Sequence, residues 1–257
     1  MVKILFIMFQ GNATNLKYWN YHTESKFLDR LKKIGYVYTY QDKIHNIFHY
    51  EKNNPEHVDY DSDIDFNLSY VKPDTHITMI YNDICIKYKN INEYKFIPIG
   101  WSAGGGLALY FSQIYSSQCI HCILLDPLYI TPSGMLSELN DYINILNEEG
   151  TDNETKFSLS RKPRFPRYIT NSKLQKMLNN LKQNNNIKIL EHVLVYSKHL
   201  NLELPNIYNP AIHKWQKDNN KNRLNEIKIL KKLNPENYEA IIFENKSHMI
   251  YNKIQLN

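Results

Sequence analysis

Gly100-Trp101-Ser102-Ala103-Gly104 follows an apolar run, Lys95–Ile99, and leads directly into a segment of helical spacing, Ala103–Tyr115. This is the Gly-x-Ser-x-Gly pattern between a strand and a helix, a context typical of a nucleophilic serine. Small residues must flank such a serine, because the backbone of a sharp turn approaches its neighbours closely. Four of the chain's 8 glycines lie within positions 100–106. The pattern predicts that Ser102 is a nucleophile; the alternative is a tight turn without chemistry.

Five further apolar runs predict the other strands of a sheet. Their apolar residues are continuous rather than alternating, which is typical of parallel strands buried on both faces. The runs are Val2–Phe9, Tyr36–Tyr40, Ile120–Leu125, His192–Tyr196 and Ala240–Phe243. Segments of helical spacing lie between the strands, at Leu16–Ile34 and Thr75–Tyr88 as well as after Ser102. The alternation predicts a doubly wound α/β domain with right-handed crossovers.

One insertion, Pro127–Lys188, is far longer than a crossover between two strands requires. It contains two helix-like pieces, Met135–Asn147 and Ser172–Lys182. Its position between two strands predicts a cap over the strand ends rather than a separate domain. We therefore expect residues 1–257 to form a single domain.

Composition excludes several classes of protein. The chain has 257 residues, 42% of them hydrophobic and 22% charged, which is incompatible with a wholly disordered protein. No apolar run approaches the roughly 18 residues that a membrane-spanning helix needs. Three cysteines are too few for a disulfide framework. This favours an intracellular, cytoplasmic protein.

Charge gives little indication of a nucleic-acid partner. Lysine outnumbers arginine by 26 to 5, a bias typical of A+T-rich coding DNA, as in some protozoa or large DNA viruses. The net charge of +5 is modest, so a solvated lysine-rich surface explains it better than a nucleic-acid interface. Three arginines lie within Arg161–Arg167 of the presumed cap. A solvated loop is the simpler interpretation there, and a site for an anionic substrate or a membrane surface is the alternative.

A nucleophilic serine needs a base and donors for the developing oxyanion. His248 lies just after the last predicted strand, where it can return over the sheet edge to Ser102. The oxyanion hole needs backbone N–H groups, and the residue after the nucleophile, Ala103, supplies one. The second donor is expected from the loop after the first strand, where Gly11 allows close approach and Asn12 offers its amide.

Two weaker patterns concern metals. Asp59, Asp61, Asp63 and Asp65 occupy every second position, but the glycine and closing glutamate of a calcium loop are missing. Cys119-Ile-His-Cys122 is a Cys-x-x-Cys pattern, yet strand periodicity predicts that its thiols point to opposite faces. We expect neither a metal site nor a cofactor.

Taken together, these motifs resemble those of the α/β-hydrolase-fold superfamily, and the resemblance covers nearly the whole chain. Gln10-Gly11 is similar to the family's His-Gly oxyanion turn, with glutamine in place of histidine. Gly100–Gly104 resembles the nucleophile elbow, Ile123–Pro127 the strand that follows, and Ser247-His248 the end of the triad. The family's two leading antiparallel strands are not evident. The resemblance implies a mostly parallel sheet of about six strands, helices on both faces, a small helical cap and serine esterase, lipase or thioesterase chemistry.

The sequence departs from the family at the triad acid. The usual acid position after Val193–Tyr196 falls on Asn201, with Glu203 two residues further on. Some members carry the acid one strand earlier, where Asp126 stands here. An asparagine can orient an imidazole but cannot stabilise an imidazolium by charge. We favour Asp126; the alternatives are Glu203, or no acid or another residue. As a residue at a strand end, Asp126 is expected to contribute little to the core.

These residues predict a serine hydrolase that cleaves a carboxylic ester or thioester. Ser102 would form the acyl-enzyme and His248 would act as general base. The alternative is a catalytically impaired α/β-hydrolase scaffold that serves as a binding or interaction protein, which the missing conventional acid would explain. A nucleic-acid binder relying on surface lysines is a third and weaker hypothesis.

Overall fold

The computed structural model describes the strands of the sheet and most of the helices packed against it. The described residues are 2–9, 19, 26–39, 73–102, 104–127, 179–180, 187–195 and 210–244. Most of the predicted cap, including Met135–Asn147, lies outside them, as do Asn12, Ala103 and His248.

Six parallel strands form one sheet, as the sequence predicted. Their bounds are β1 Lys3–Phe9, β2 Tyr36–Thr39, β3 Tyr94–Trp101, β4 His121–Leu125, β5 Lys188–Val195 and β6 Tyr238–Glu244. Across the sheet they lie in the order β2-β1-β3-β4-β5-β6. β2 lies on one side of β1, and β3 to β6 lie on the other side. The sheet is therefore doubly wound, with side chains buried on both faces.

Four helices are described: α1 Phe27–Ile34, α2 Pro73–Lys87, α3 Gly104–Ile114 and α4 Pro210–Leu233. α1 and α3 lie within predicted helical segments, whereas α2 begins two residues before the predicted segment Thr75–Tyr88. The 24-residue α4 was not predicted, because most of its residues are polar. Ile227, Leu230 and Leu233, in the last two turns of α4, pack in the core. None of the helices within the described ranges is long and apolar enough to cross a membrane.

The core is divided by the sheet into two clusters. One holds side chains of α2, α3 and α4 with Cys122 and Leu124 of β4, whereas the other holds α1 with Ile123 and Leu125. This alternation follows from the two-residue period of a strand. Trp101, the last residue of β3, belongs to the α1 cluster. The strand is therefore buried up to the residue before the turn at Ser102.

The two closely spaced cysteines do not behave as predicted. Cys119 and Cys122 are buried in the same cluster, on one face of the sheet. The strand period fails here because Cys119 precedes β4, which begins at His121. Both thiols are free, and burial raises the pKa of each, to about 12 for Cys122. Buried thiols with raised pKa values are poor nucleophiles and poor metal ligands.

Candidate active site

Ser102 occupies a strained turn at the carboxyl end of β3. Its φ of 53° lies in the left-handed region, which non-glycine residues rarely adopt. Its N–H donates to the carbonyl of Leu125 at 3.0 Å, and its own carbonyl accepts the N–H of Gly105 at 3.0 Å. The turn is thus fixed on both sides, by β4 and by the first turn of α3. Such strain persists only where its surroundings hold it, and it clusters at functional sites.

The glycines around Ser102 are required by close approaches of the backbone. A Cβ on Gly100 would lie 2.6 Å from the Cα of Gly105 and 2.7 Å from the Cβ of Ala108. A Cβ on Gly105 would lie 2.5 Å from the Cβ of Pro127, which follows the end of β4 by two residues. Real Cβ atoms do not approach other carbon atoms so closely. The elbow is therefore packed directly against both its own helix and the end of the next strand.

The helix that begins at Gly104 places its positive end at the turn. α3 runs for 11 residues, and all but the last are buried. A helix N-terminus carries about half a positive charge, which favours negative charge developing on a nearby oxygen. Ser102 itself is 5% exposed. The turn combines strain, a buried hydroxyl-bearing residue and a helix dipole, which is the arrangement that the sequence pattern predicted for a nucleophile.

Asp126 lies at the same edge of the sheet, one strand away. Its φ of 44° is also left-handed, and its N–H donates to the carbonyl of His192 at 2.6 Å. The side chain is fully buried and forms an ion pair with the guanidinium of Arg223 on α4. The expectation that Asp126 contributes little to the core is therefore wrong. A strand-end position does not imply exposure when a later helix covers that end.

Arg223 belongs to a buried polar cluster that sequence reasoning missed. Burial lowers the pKa of Arg223 to about 10, while nearby Glu226 opposes this shift. Glu191 of β5 accepts a hydrogen bond from the hydroxyl of Tyr238 on β6, and burial raises the pKa of Glu191 to about 8. At neutral pH Glu191 is therefore largely protonated. No local pattern indicates this cluster, because its members are separated in sequence and two lie on the unpredicted α4.

One histidine near the site is a poor general base. His192 lies on β5, as predicted, and its ring stacks on Phe243 with the centroids 5.6 Å apart. Burial lowers the pKa of His192 to about 4, with Glu239 and a backbone hydrogen bond to Leu124 opposing the shift. An imidazole of such low basicity accepts a proton weakly at neutral pH.

The other predicted site residues lie outside the described residues. These are the base His248, the oxyanion donors Asn12 and Ala103, and the alternative acid Glu203. Their roles stay predictions. Within the described part of the chain, no group of three or more histidine, cysteine or acidic residues is arranged to hold a metal ion.

Comparison with known proteins identifies the fold. No protein-family model matches the sequence, and no curated protein matches it either. Solved structures do match. A carboxylesterase structure from Nitrososphaera gargenis is 12% identical, covers 98% of this chain and 85% of that one, and has a TM-score of 0.56. A peroxisomal α/β-hydrolase of Saccharomyces cerevisiae is 13% identical, covers 97% and 72% of the two chains, and has a TM-score of 0.53.

The chain therefore has the α/β-hydrolase fold, as the sequence motifs indicated. Ser102 lies at the strand-to-helix turn after β3 and before α3. At identities of 12% and 13%, these structural similarities establish the fold alone. The activity depends on the residues of the site.

Proposed function

We propose that this protein is a serine hydrolase that cleaves a carboxylic ester or thioester through an acyl-enzyme on Ser102. The observation that carries the proposal is the left-handed backbone of Ser102, held between the carbonyl of Leu125 and the N–H of Gly105. A serine without a chemical role gains nothing from this strain, since glycine adopts the same φ at no cost. The carboxylesterase among the similar structures is consistent with this class of reaction.

The reaction would follow the usual course of acyl transfer. The Ser102 oxygen would attack the acyl carbon while His248 takes its proton, and the carbonyl oxygen would become an oxyanion. The backbone N–H groups of Ala103 and Asn12 would stabilise that charge. The protonated base would then give its proton to the leaving alcohol or thiol. Water activated by the same base would release the acid and restore Ser102. Residues of Pro127–Lys188 would cap the acyl site.

The position of β6 supports His248 as the base. β6 ends at Glu244, at the same edge of the parallel sheet as Ser102, and His248 follows four residues later. β6 lies three strands from β3, which is about 14 Å at the usual strand spacing. Four extended residues span about 13–14 Å, and the imidazole adds further reach. The chain is therefore long enough for His248 to approach Ser102.

The acid is proposed to be Asp126, with Glu203 as the alternative. Asp126 is supported by its place at the carboxyl end of β4, next to the strand that bears Ser102. A carboxylate has enough lone pairs to accept from both a guanidinium and an imidazole. The positive charge of Arg223, however, offsets part of the negative charge that an imidazolium would need. Because of this offset, Glu203 remains the alternative triad acid.

The test is covalent labelling with a fluorophosphonate probe followed by mass spectrometry of the modified peptide. We expect one adduct, on Ser102, and no adduct in Ser102→Ala. Ser112→Ala is the matched control, because the hydroxyl of Ser112 is buried on α3 and donates to the carbonyl of Leu109. This variant should label like the wild type. An unlabelled, folded wild-type protein would contradict the proposal.

The second candidate is a binding protein built on an inactive α/β-hydrolase scaffold. The ion pair between Asp126 and Arg223 favours it, because the guanidinium offsets part of the negative charge with which Asp126 would stabilise a protonated His248. The labelling experiment decides between the two candidates, since a scaffold has no activated serine. Turnover of short p-nitrophenyl esters provides a second, independent readout.

A further inference from the structure

A short chain of contacts connects α4 to the nucleophile elbow. The guanidinium of Arg223 pairs with the carboxylate of Asp126. The residue before Asp126, Leu125, accepts the N–H of Ser102 at 3.0 Å. The residue after it, Pro127, lies where a Cβ on Gly105 would come within 2.5 Å. The middle residue of this segment, Asp126, thus contacts α4, and its two neighbours contact the elbow.

The pair is well placed to fix this segment. Asp126 is fully buried and Arg223 is 5% exposed, so solvent screens their attraction weakly. The negative charge of nearby Glu226, one turn further along α4, favours the charged form of Arg223 and opposes the lowering of its pKa by burial. Asp126 has a left-handed φ of 44°, a conformation that persists only where its surroundings hold it. The guanidinium that pairs with this carboxylate comes from a helix outside the elbow.

We infer that Arg223 is a positioning residue for Ser102: by holding Asp126, it fixes the Leu125–Pro127 segment against which the elbow is hydrogen-bonded and packed. The inference rests on the proposed function for its catalytic consequence. It does not depend on whether Asp126 also serves as the triad acid, because the contacts to the elbow are made by the neighbours of Asp126.

The experiment compares Arg223→Met, Arg223→Lys and, as a control, Lys221→Met, an exposed change on the same helix. Rate constants for fluorophosphonate labelling and for ester hydrolysis are measured. Hydrogen–deuterium exchange at positions 99–106 reports the elbow directly. A double variant, Asp126→Asn with Arg223→Met, removes both charges of the pair and serves if Arg223→Met does not fold, because Asp126 is then not left as a buried charge without its cation.

Arg223→Met should lower labelling and kcat by about 10- to 100-fold with KM within about twofold, as expected when a reacting group is slightly misplaced. Exchange of the Ser102 amide should accelerate several-fold. Arg223→Lys, which keeps the charge, should lose less, and Lys221→Met should match the wild type. In the double variant exchange should also be faster than in the wild type, because the anchor from α4 is absent.

Two results would overturn the inference. One is a folded Arg223→Met, or a folded double variant, whose elbow exchange stays within twofold of the wild type. The other is an equal loss in Lys221→Met, which would show a general effect of altering α4. If the wild type does not label but exchange is faster in Arg223→Met, the positioning role stands and the proposed hydrolase activity fails.

Discussion

The buried pair between Asp126 and Arg223 makes a quantitative prediction about stability. Asp126→Asn removes a fully buried negative charge and leaves the guanidinium of Arg223 with Glu226 as its nearby carboxylate. Breaking a buried ion pair by removing one partner costs about 3–5 kcal/mol. Domains are stable by only about 5–15 kcal/mol, so the free energy of unfolding should fall by a large fraction.

Removing both charges should cost less than removing one. In the double variant, Asp126→Asn with Arg223→Met, the guanidinium is replaced by a flexible apolar side chain of similar length. Removing one partner of a buried ion pair costs more than removing both, so the double variant should regain about 2 kcal/mol or more over Asp126→Asn. Met at position 223 would lie on the same face of the sheet as Leu230 and could pack there.

The assay is urea unfolding of the wild type, both single variants and the double variant, followed by circular dichroism and tryptophan fluorescence. The midpoint shift at constant slope gives the change in the free energy of unfolding. The reasoning would be refuted if Asp126→Asn changed this free energy by less than about 1 kcal/mol, the scale of an exposed pair. It would also be refuted if the double variant were less stable than either single variant.

Two further predictions concern the acid and the pH dependence. If Asp126 is the triad acid, Asp126→Asn should lower kcat by about 10⁴-fold while Glu203→Gln costs under about tenfold; the reverse order in steady-state kinetics would assign the acid to Glu203, and two small effects would indicate a dyad of Ser102 and His248. The pKa of Glu191 is raised to about 8 in the folded state, above its ordinary 4.5, so the unfolded state releases this proton first as pH rises. The contribution of Glu191 is complete below pH 4.5 and is lost progressively up to about pH 8; Glu191→Gln should flatten that part of the decline in unfolding experiments, and an unchanged decline would show that another group causes it.

The sequence predicted the parts of the fold that local patterns encode. The turn at Ser102 was predicted because an apolar strand, a glycine cluster and a helical segment follow one another directly in the sequence. Continuous apolar runs predicted all six strands. The start of β5 was placed late, at His192 rather than Lys188, because Lys188 and Glu191 interrupt the apolar run. Glu191 is nevertheless buried, with Tyr238 as its partner.

Polar contacts between distant parts of the chain could not be predicted from a single sequence. Asp126 and Arg223 are 97 positions apart, and nothing near either residue indicates the other. The helix that carries Arg223 was itself missed, because most residues of α4 are polar. The turn at Ser102 could thus be predicted from its neighbours in sequence, whereas the surroundings of Asp126 depend on how distant segments assemble.

The contact between Gly105 and Pro127 constrains how this protein can be redesigned. Any side chain at position 105 would require Pro127 to move away, and any side chain at position 100 would collide with the first turns of α3. Random variation at these positions would mostly yield misfolded proteins, whatever its effect on chemistry. A mutagenesis library aimed at new substrates should keep both glycines and Pro127 fixed, and place its diversity in segments that do not touch the elbow.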